Sequence, residues 1–247
     1  MNHLDILDVA HTIEDVIENK QPFSLVRLGD GEARLIGYPE YVPRAELDLS
    51  LHYWYGALKP NRYQVLQLRA ELKAAVANAD LVGLPSRAQE AKNVRYKLLN
   101  FLVRRYSLLT GNTCHCGIHR TMQEAGQWAA LLNGLERVTV ITCRDVGDKV
   151  ANRFNISYVN WIAVPEEAHV REPKERHYPD RHNAIVSALN PLPGEVFLVG
   201  AGPNGKVYCD EIKQRGGIGL DLGSVFDGFA GIASRSYIAT NPEAYRL

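Results

Sequence analysis

Six short, largely apolar runs divide the chain, and segments with helical spacing separate most of them. The runs are FSLVRL (23–28), DLVGLP (80–85), RVTVITC (137–143), SYVNWIAVP (157–165), EVFLVG (195–200) and IGLDLG (218–223). Runs of this kind fit strands covered on both faces, the setting of a parallel sheet. Between them, residues 3–19 put Ile6, Val9, Ile13, Val16 and Ile17 on one helical face. The same spacing predicts a helix over 62–79 with Val65, Leu68, Leu72 and Val76 inward. It predicts another over 88–109 with Val94, Leu98, Phe101 and Leu102 toward the core. Shorter helices are expected over 122–135, 145–155, 184–190 and 204–216. The Tyr- and Pro-rich tract 38–60 reads as a long loop with a short helix, and TGNTCHCGIHRT (110–121) reads as a loop. Strand–helix alternation predicts one α/β domain, residues 1–247. It is Rossmann-like, a mostly parallel sheet of about six strands with helices on both faces.

Composition limits the partners. With 28 basic and 28 acidic side chains the formal charge is zero, which argues against a general nucleic-acid binder. No run reaches the roughly 18 apolar residues of a membrane span. The start, MNHLDILDVAHTIEDVIENK, has neither a basic n-region nor an apolar h-region, so it is not read as a secretion signal. The four cysteines are too scattered to staple the chain, and the expectation is reduced thiols in a cytoplasmic protein. The composition is compatible with a homo-oligomer.

In open α/β sheets, ligands bind beyond the carboxyl ends of the strands. Three segments fall there. The first is Gly29-Asp30-Gly31-Glu32, behind Arg27. In an extended stretch, residues two apart share a side, so Asp30 and Glu32 can converge on one cation. Carboxylate oxygens suit magnesium or manganese, which keep open positions for substrate phosphates. The alternative is a turn with Glu32 opening a helix, where the dipole favours an acid. The second is VFLVGAGPNGKVY, where Gly200, Gly202 and Gly205 spell G-x-G-x-x-G between strand and helix, with Asp221 about 20 residues on. It also fits G-x-x-x-x-G-K through Lys206, but Val207 stands where a Ser or Thr would bind magnesium. Either pattern turns backbone N–H groups at a helix start toward an anion. Asn204 and Lys206 are candidate donors beside it. The third is GLDLGSVFDGFAGIASR, where Asp221, Ser224 and Asp227 suit a ribose or a nucleobase.

Weaker features surround these. Cys114, His115, Cys116 and His119 match no standard structural-zinc spacing. Arg120 beside them is available for a phosphate, or for the surface. The basic run His169 to His182 is either a solvated loop or a lid over a charged substrate.

FSLVRLGDGE resembles the R-[FY]-G-D-G-E signature near the start of GT-D-type glycosyltransferases, a family first catalogued as a domain of unknown function. LVGAGPNGKVYCDEIKQRGGIGLDLGSVFD resembles that family's C-terminal block, and CGIHRT echoes a central element ending in Arg. The resemblance implies transfer of a sugar from a nucleotide-sugar donor, a UDP-sugar, to a glycan or glycoconjugate acceptor. It also implies that Asp30 and Glu32 hold a divalent metal, manganese or magnesium, on the donor diphosphate. Nucleotide contacts would fall on Arg27, Gly29, Gly31, Arg120, Gly200, Gly202, Asn204, Lys206, Asp221 and Ser224. The sequence departs from the pattern in Leu28, where an aromatic is usual, in G-A-G-P-N-G, and in a longer loop after Pro165. Two rivals stand beside this reading. One is a nicotinamide or flavin oxidoreductase, against which only 24 residues follow Gly223. The other is a non-catalytic nucleotide-sugar-binding module.

Overall fold

Asp5 accepts hydrogen bonds from the N–H groups of Leu7 and Asp8, and this cap opens helix α1 (Ile6–Glu18). The computed structural model describes residues 2–246. Strand β1 (Phe23–Arg27) follows, then helix α2 (Asp30–Gly37), so of the two readings of Gly29–Glu32 the helix start holds and the extended stretch does not. The Tyr/Pro-rich tract holds a 12-residue helix, α3 (Arg44–Tyr55), which buries Leu47, Leu51, Trp54 and Tyr55 at helical spacing. Flanking prolines hid that period from the sequence. Asn61 and Gln64 cap α4 (Arg62–Asn78) reciprocally, and β2 (Leu81–Leu84) comes next.

The single helix expected over 88–109 is two, α5 (Arg87–Glu90) and α6 (Val94–Arg105), with Asn93 capping the second. Its rotation also differs from the expectation. Leu99, Leu102 and Val103 face the core, whereas Val94 and Phe101 are 72% and 46% exposed. The chain carries two apolar stripes here, and the core takes the denser one.

Within the expected loop 110–121 lies a short strand, β3 (Asn112–His115), followed by α7 (Ile118–Glu124) and α8 (Gln127–Leu132). Gly126, at φ +72°, divides these last two where one helix was expected. The remaining elements are β4 (Arg137–Thr142), α9 (Gly147–Arg153), β5 (Tyr158–Ala163), α10 (His182–Ala188), β6 (Val196–Gly200) and α11 (Gly202–Gln214). β7 (Ile218–Asp221), α12 (Val225–Phe229) and α13 (Ser236–Thr240) complete the chain.

The sheet has seven strands in the order β3-β2-β1-β7-β6-β4-β5, every pair parallel. β1 therefore lies between β2 and β7, with Leu25 opposite both Leu81 and Leu220. Alternation divides the strand residues between two cores. Val26, Val82, Ile141, Phe197 and Val199 pack under α2, α3, α4, α6 and α11. Leu25, Leu81, Val140, Leu198 and Leu220 pack under α1, α7, α8, α9 and α12. This order brings the carboxyl ends of β1, β7, β6 and β4 side by side at the middle of one sheet edge.

Candidate active site

A cavity of about 710 Å³ opens beyond those strand ends. Its floor is set by β1. Arg27, the last residue of the strand, donates from Nε to the Asp221 carbonyl (2.8 Å) and pairs through a terminal nitrogen with Asp221 Oδ1 (3.0 Å). The other terminal nitrogen reaches His119 Nδ1 at 2.9 Å. Burial, and then the Arg27 charge, hold His119 well below the usual imidazole range, so it accepts this bond as a neutral ring. Gly223 has φ +52°, and a Cβ there would overlap the Arg27 guanidinium.

The acidic tetrapeptide is resolved by helix geometry. Gly29 is the cap of α2, and its N–H donates to Glu32 Oε2 at 2.9 Å. Residues two apart on a helix point about 200° apart, so Asp30 and Glu32 diverge rather than converge. Asp30 faces the cavity with its side chain about half exposed (49%), 3.7 Å from Arg34. Glu32 turns inward, and its Oε1 lies 3.3 Å from the Lys206 ammonium. Each acid thus has its own compensation, the helix N-terminus serving both. A Cβ on Gly31 would overlap the Trp54 indole, which packs against this turn.

Lys206 comes from α11. Its Nζ lies 3.2 Å from Asp221 Oδ2 and donates to the Gly202 carbonyl at 3.0 Å. Burial opposes its charge, yet the Asp221 and Glu32 carboxylates prevail and raise its pKa. Asp221 is the mirror case: burial opposes its charge, and Arg27 and Lys206 prevail and lower its pKa. Arg27, Asp221, Lys206 and Glu32 therefore form a buried chain of alternating sign.

α11 starts at the cavity wall. Ala201 supplies no side-chain cap, and Gly202, at φ +53°, presents its backbone to the opening. The first N–H groups of that helix lie beyond intrahelical reach, which suits an anion.

Of the candidates read from sequence, Arg27, Gly29, Asp30, Gly31, Glu32, Gly200, Gly202, Lys206 and Ser224 line the cavity. Three do not. Asn204 is buried behind the wall and donates to the Tyr55 hydroxyl at 3.0 Å. Asp221 has both carboxylate oxygens engaged by Arg27 and Lys206. Arg120 lies over the Tyr237 ring, 5.4 Å from its centroid. Cys114 is buried, with its thiol pKa pushed up to about 12 by desolvation. Among the described residues no group of three or more His, Cys, Asp or Glu could hold a metal ion.

Arg144, Tyr53 and Arg235 also line the cavity and escaped the sequence reading. Buried Arg144, just past β4, donates to Asp227 at 2.7 Å and lies 3.6 Å from Glu166. Its place after a strand end was the available signal. Tyr53 stacks on His169 with centroids 3.9 Å apart, and Arg235 bonds both, at 2.6 Å to the Tyr53 hydroxyl and 3.1 Å to His169 Nε2. Glu167 Oε2 approaches His169 Nδ1 at 3.2 Å. The basic segment read as a loop or a lid begins docked: the Ala168 and His169 N–H groups bond the Trp54 and Tyr53 carbonyls at the end of α3.

The family described as the GT-D fold-like domain matches residues 4–229. The chain belongs to this GT-D-like family. Solved structures similar to this GT-D-like chain include one described as the highly conserved domain of unknown function 1792 with a distinct glycosyltransferase fold. It is 18% identical at a TM-score of 0.59, covering 90% of this chain and 78% of that one. Another is described as a new glycosyltransferase (DUF1792) from Streptococcus sanguinis, 19% identical at a TM-score of 0.58, covering 90% of this chain and 81% of that one. A selenomethionine structure of the same domain, 17% identical, gives a TM-score of 0.55 over 90% of this chain and 78% of that one. At these identities the likeness is one of fold. No curated protein matches the chain. For this GT-D-like protein the dinucleotide reading loses its ribose ligand, because both oxygens of Asp221 are already engaged. Among the described residues no helix is long and apolar enough to cross a membrane.

Proposed function

We propose that this protein is a glycosyltransferase that moves a sugar from a nucleotide-sugar donor, a UDP-sugar, to a hydroxyl of a glycan or glycoconjugate acceptor. The observation that carries the proposal is the start of α11. An uncapped helix N-terminus faces the cavity with Lys206 behind it and Arg27 in the adjoining floor. That arrangement suits a diphosphate, whose negative charge grows as the bond to the anomeric carbon breaks. The bonding electrons leave with the diphosphate oxygen, while the acceptor oxygen forms the new bond and gives its proton to a base. The cavity volume lies within the range usual for small-molecule sites, about 300–1,000 Å³.

A divalent cation, manganese or magnesium, fits the donor set at Asp30. That carboxylate is hard, open to the cavity, and without a side-chain hydrogen bond among the described residues. Glu32 turns away from Asp30 toward Lys206 and the Gly29 N–H, so Asp30 would hold such an ion together with the donor phosphates rather than with Glu32. When bound, such an ion supplies Lewis-acid stabilisation of the departing diphosphate. Ser224 and Arg144 also line the cavity, and as polar groups they suit the ribose and base.

Thermal unfolding with ligands tests the reading. UDP with manganese is expected to raise the melting temperature, by about 2.7 kcal/mol of stabilisation at a hundredfold excess over Kd. Asp30→Asn should remove the manganese-dependent part and leave the ligand-free protein nearly unchanged, since its side chain is half exposed. A larger, chelator-insensitive response to NADH would overturn the proposal. Metal-dependent UDP binding without transfer to any acceptor would reduce the protein to a binding module.

A further inference from the structure

Helix α6 contains four cations, Arg95, Lys97, Arg104 and Arg105, and no acidic residue. At about 100° per residue, Val94, Lys97, Phe101, Arg104 and Arg105 fall on one stripe, and all five are exposed. Val94 and Phe101 lie near its centre, with cations to either side. The stripe continues into an aromatic cluster. Phe101 meets Tyr41 edge-on at 5.3 Å, and Tyr41 meets Tyr106 at 6.4 Å. The Lys73 ammonium sits 3.6 Å from the Tyr106 centroid. Nearby acids are already engaged: Glu40 with Arg69 at 2.8 Å, Glu46 with Arg95 at 3.0 Å, and Glu90 with Asn100. The chain as a whole is neutral, so the positive surplus is local to this face.

Apolar side chains interleaved with cations and ringed by tyrosines match the interface of a bilayer with anionic headgroups. A phosphate backbone alone would leave Val94 and Phe101 without partners. We propose that the α6 face, with Tyr41, docks on an anionic membrane surface, Val94 and Phe101 entering the headgroup region while Lys97, Arg104 and Arg105 meet lipid phosphates. Tyr96 of the same helix lines the cavity, but it lies about 130° round the helix from the docking stripe, so the two faces do not overlap. The inference does not depend on the sugar-transfer reading, because none of the docking residues lines the cavity.

Vesicle flotation of the full chain tests it. The protein is expected to float with vesicles containing phosphatidylglycerol and to stay behind with phosphatidylcholine alone, with binding weakened by salt. Each cation removed among Lys97, Arg104 and Arg105 should weaken partitioning about fivefold. The double variant Val94→Ser with Phe101→Ser keeps every charge and should also lose flotation. Unchanged melting and circular dichroism exclude misfolding, since both side chains are exposed. Failure of the native protein to float on anionic vesicles overturns the proposal. So does a serine double variant that floats like the native protein, or duplex DNA that binds with the same salt dependence regardless of the serine changes; either would make the face a polyanion site.

Discussion

Lys206 lies 3.2 Å from Asp221 and 3.3 Å from Glu32, so one buried ammonium joins the acidic motif at the start of the chain to the last strand of the sheet. Those two carboxylates come from segments far apart in sequence, and the strand order alone makes them neighbours. The first prediction concerns that ammonium. Lys206→Met removes the cation but leaves both carboxylates buried, with Arg27 still facing Asp221. Breaking a buried pair by deleting one partner costs about 3–5 kcal/mol. Urea denaturation should show a loss of that order. Adding Glu32→Gln to Lys206→Met should recover part of it, because one stranded charge disappears. Strictly additive losses would mean that Lys206 and Glu32 do not interact.

Acid should destabilise the protein well before its carboxylates titrate. Burial depresses His177 to about 3, and it holds His119 well below the ordinary range. An unfolded histidine takes up its proton near pH 6.5. Between about pH 6.5 and pH 3 the unfolded chain therefore binds protons that the native state refuses, and stability falls with pH by about 1.4 kcal/mol per unit for each such group. Asp221 adds a separate loss at lower pH. Its native pKa is lowered, so its contribution is present above about pH 3.9 and fades as pH drops through the native value. Denaturant midpoints across pH 7 to 4 should show the first slope, and His177→Gln should flatten it.

The alternation of strand and helix, the position of Arg27 at a strand end and the turn into α11 were legible because each is local. β3 was not, since Asn112-Thr113-Cys114-His115 has no apolar run. It is a strand because it pairs with β2 on one side and with the segment at Asn2–Leu4 on the other. The α6 face was misassigned because two apolar stripes compete on one short helix, and only tertiary packing chooses between them. Of the two readings open for Asp30 and Glu32, convergence in an extended stretch fails and the helix start holds, because Glu32 reaches back to the Gly29 N–H. Tyr53, His169 and Arg235 belong to three distant segments, and no spacing rule could have gathered them.

Gly31 is a steric requirement of the site. Its neighbour is the six-membered ring of Trp54, an indole anchored in α3 and packed in the core. Gly31→Ala should force that ring outward and cost about 1–3 kcal/mol, the usual penalty of overpacking. Intrinsic helix propensity favours Ala over Gly by about 1 kcal/mol, so a net stabilisation would show that Trp54 yields freely. Chemical denaturation decides the sign.

Glu167 makes the sharpest prediction about the donor site. A Cβ built on Gly202 would lie 2.7 Å from Glu167 Oε1, so this carboxylate stands at the start of α11 where the donor diphosphate is proposed to sit. Two like charges about 4 Å apart cost about 1 kcal/mol even in bulk water, and more in a cleft. Glu167→Gln keeps the shape and removes the charge, so UDP should bind at least about fivefold more tightly, measured by calorimetry. If Glu167 instead served as the base, the same variant would lower turnover and leave UDP affinity unchanged. The two roles separate because repulsion acts on binding and proton transfer acts on rate. The close approach of His169 sharpens the contrast: His169→Gln should loosen Glu167 and shift UDP affinity in the same direction as Glu167→Gln, by less. A tighter UDP complex in both variants would assign Glu167 to gating the diphosphate site.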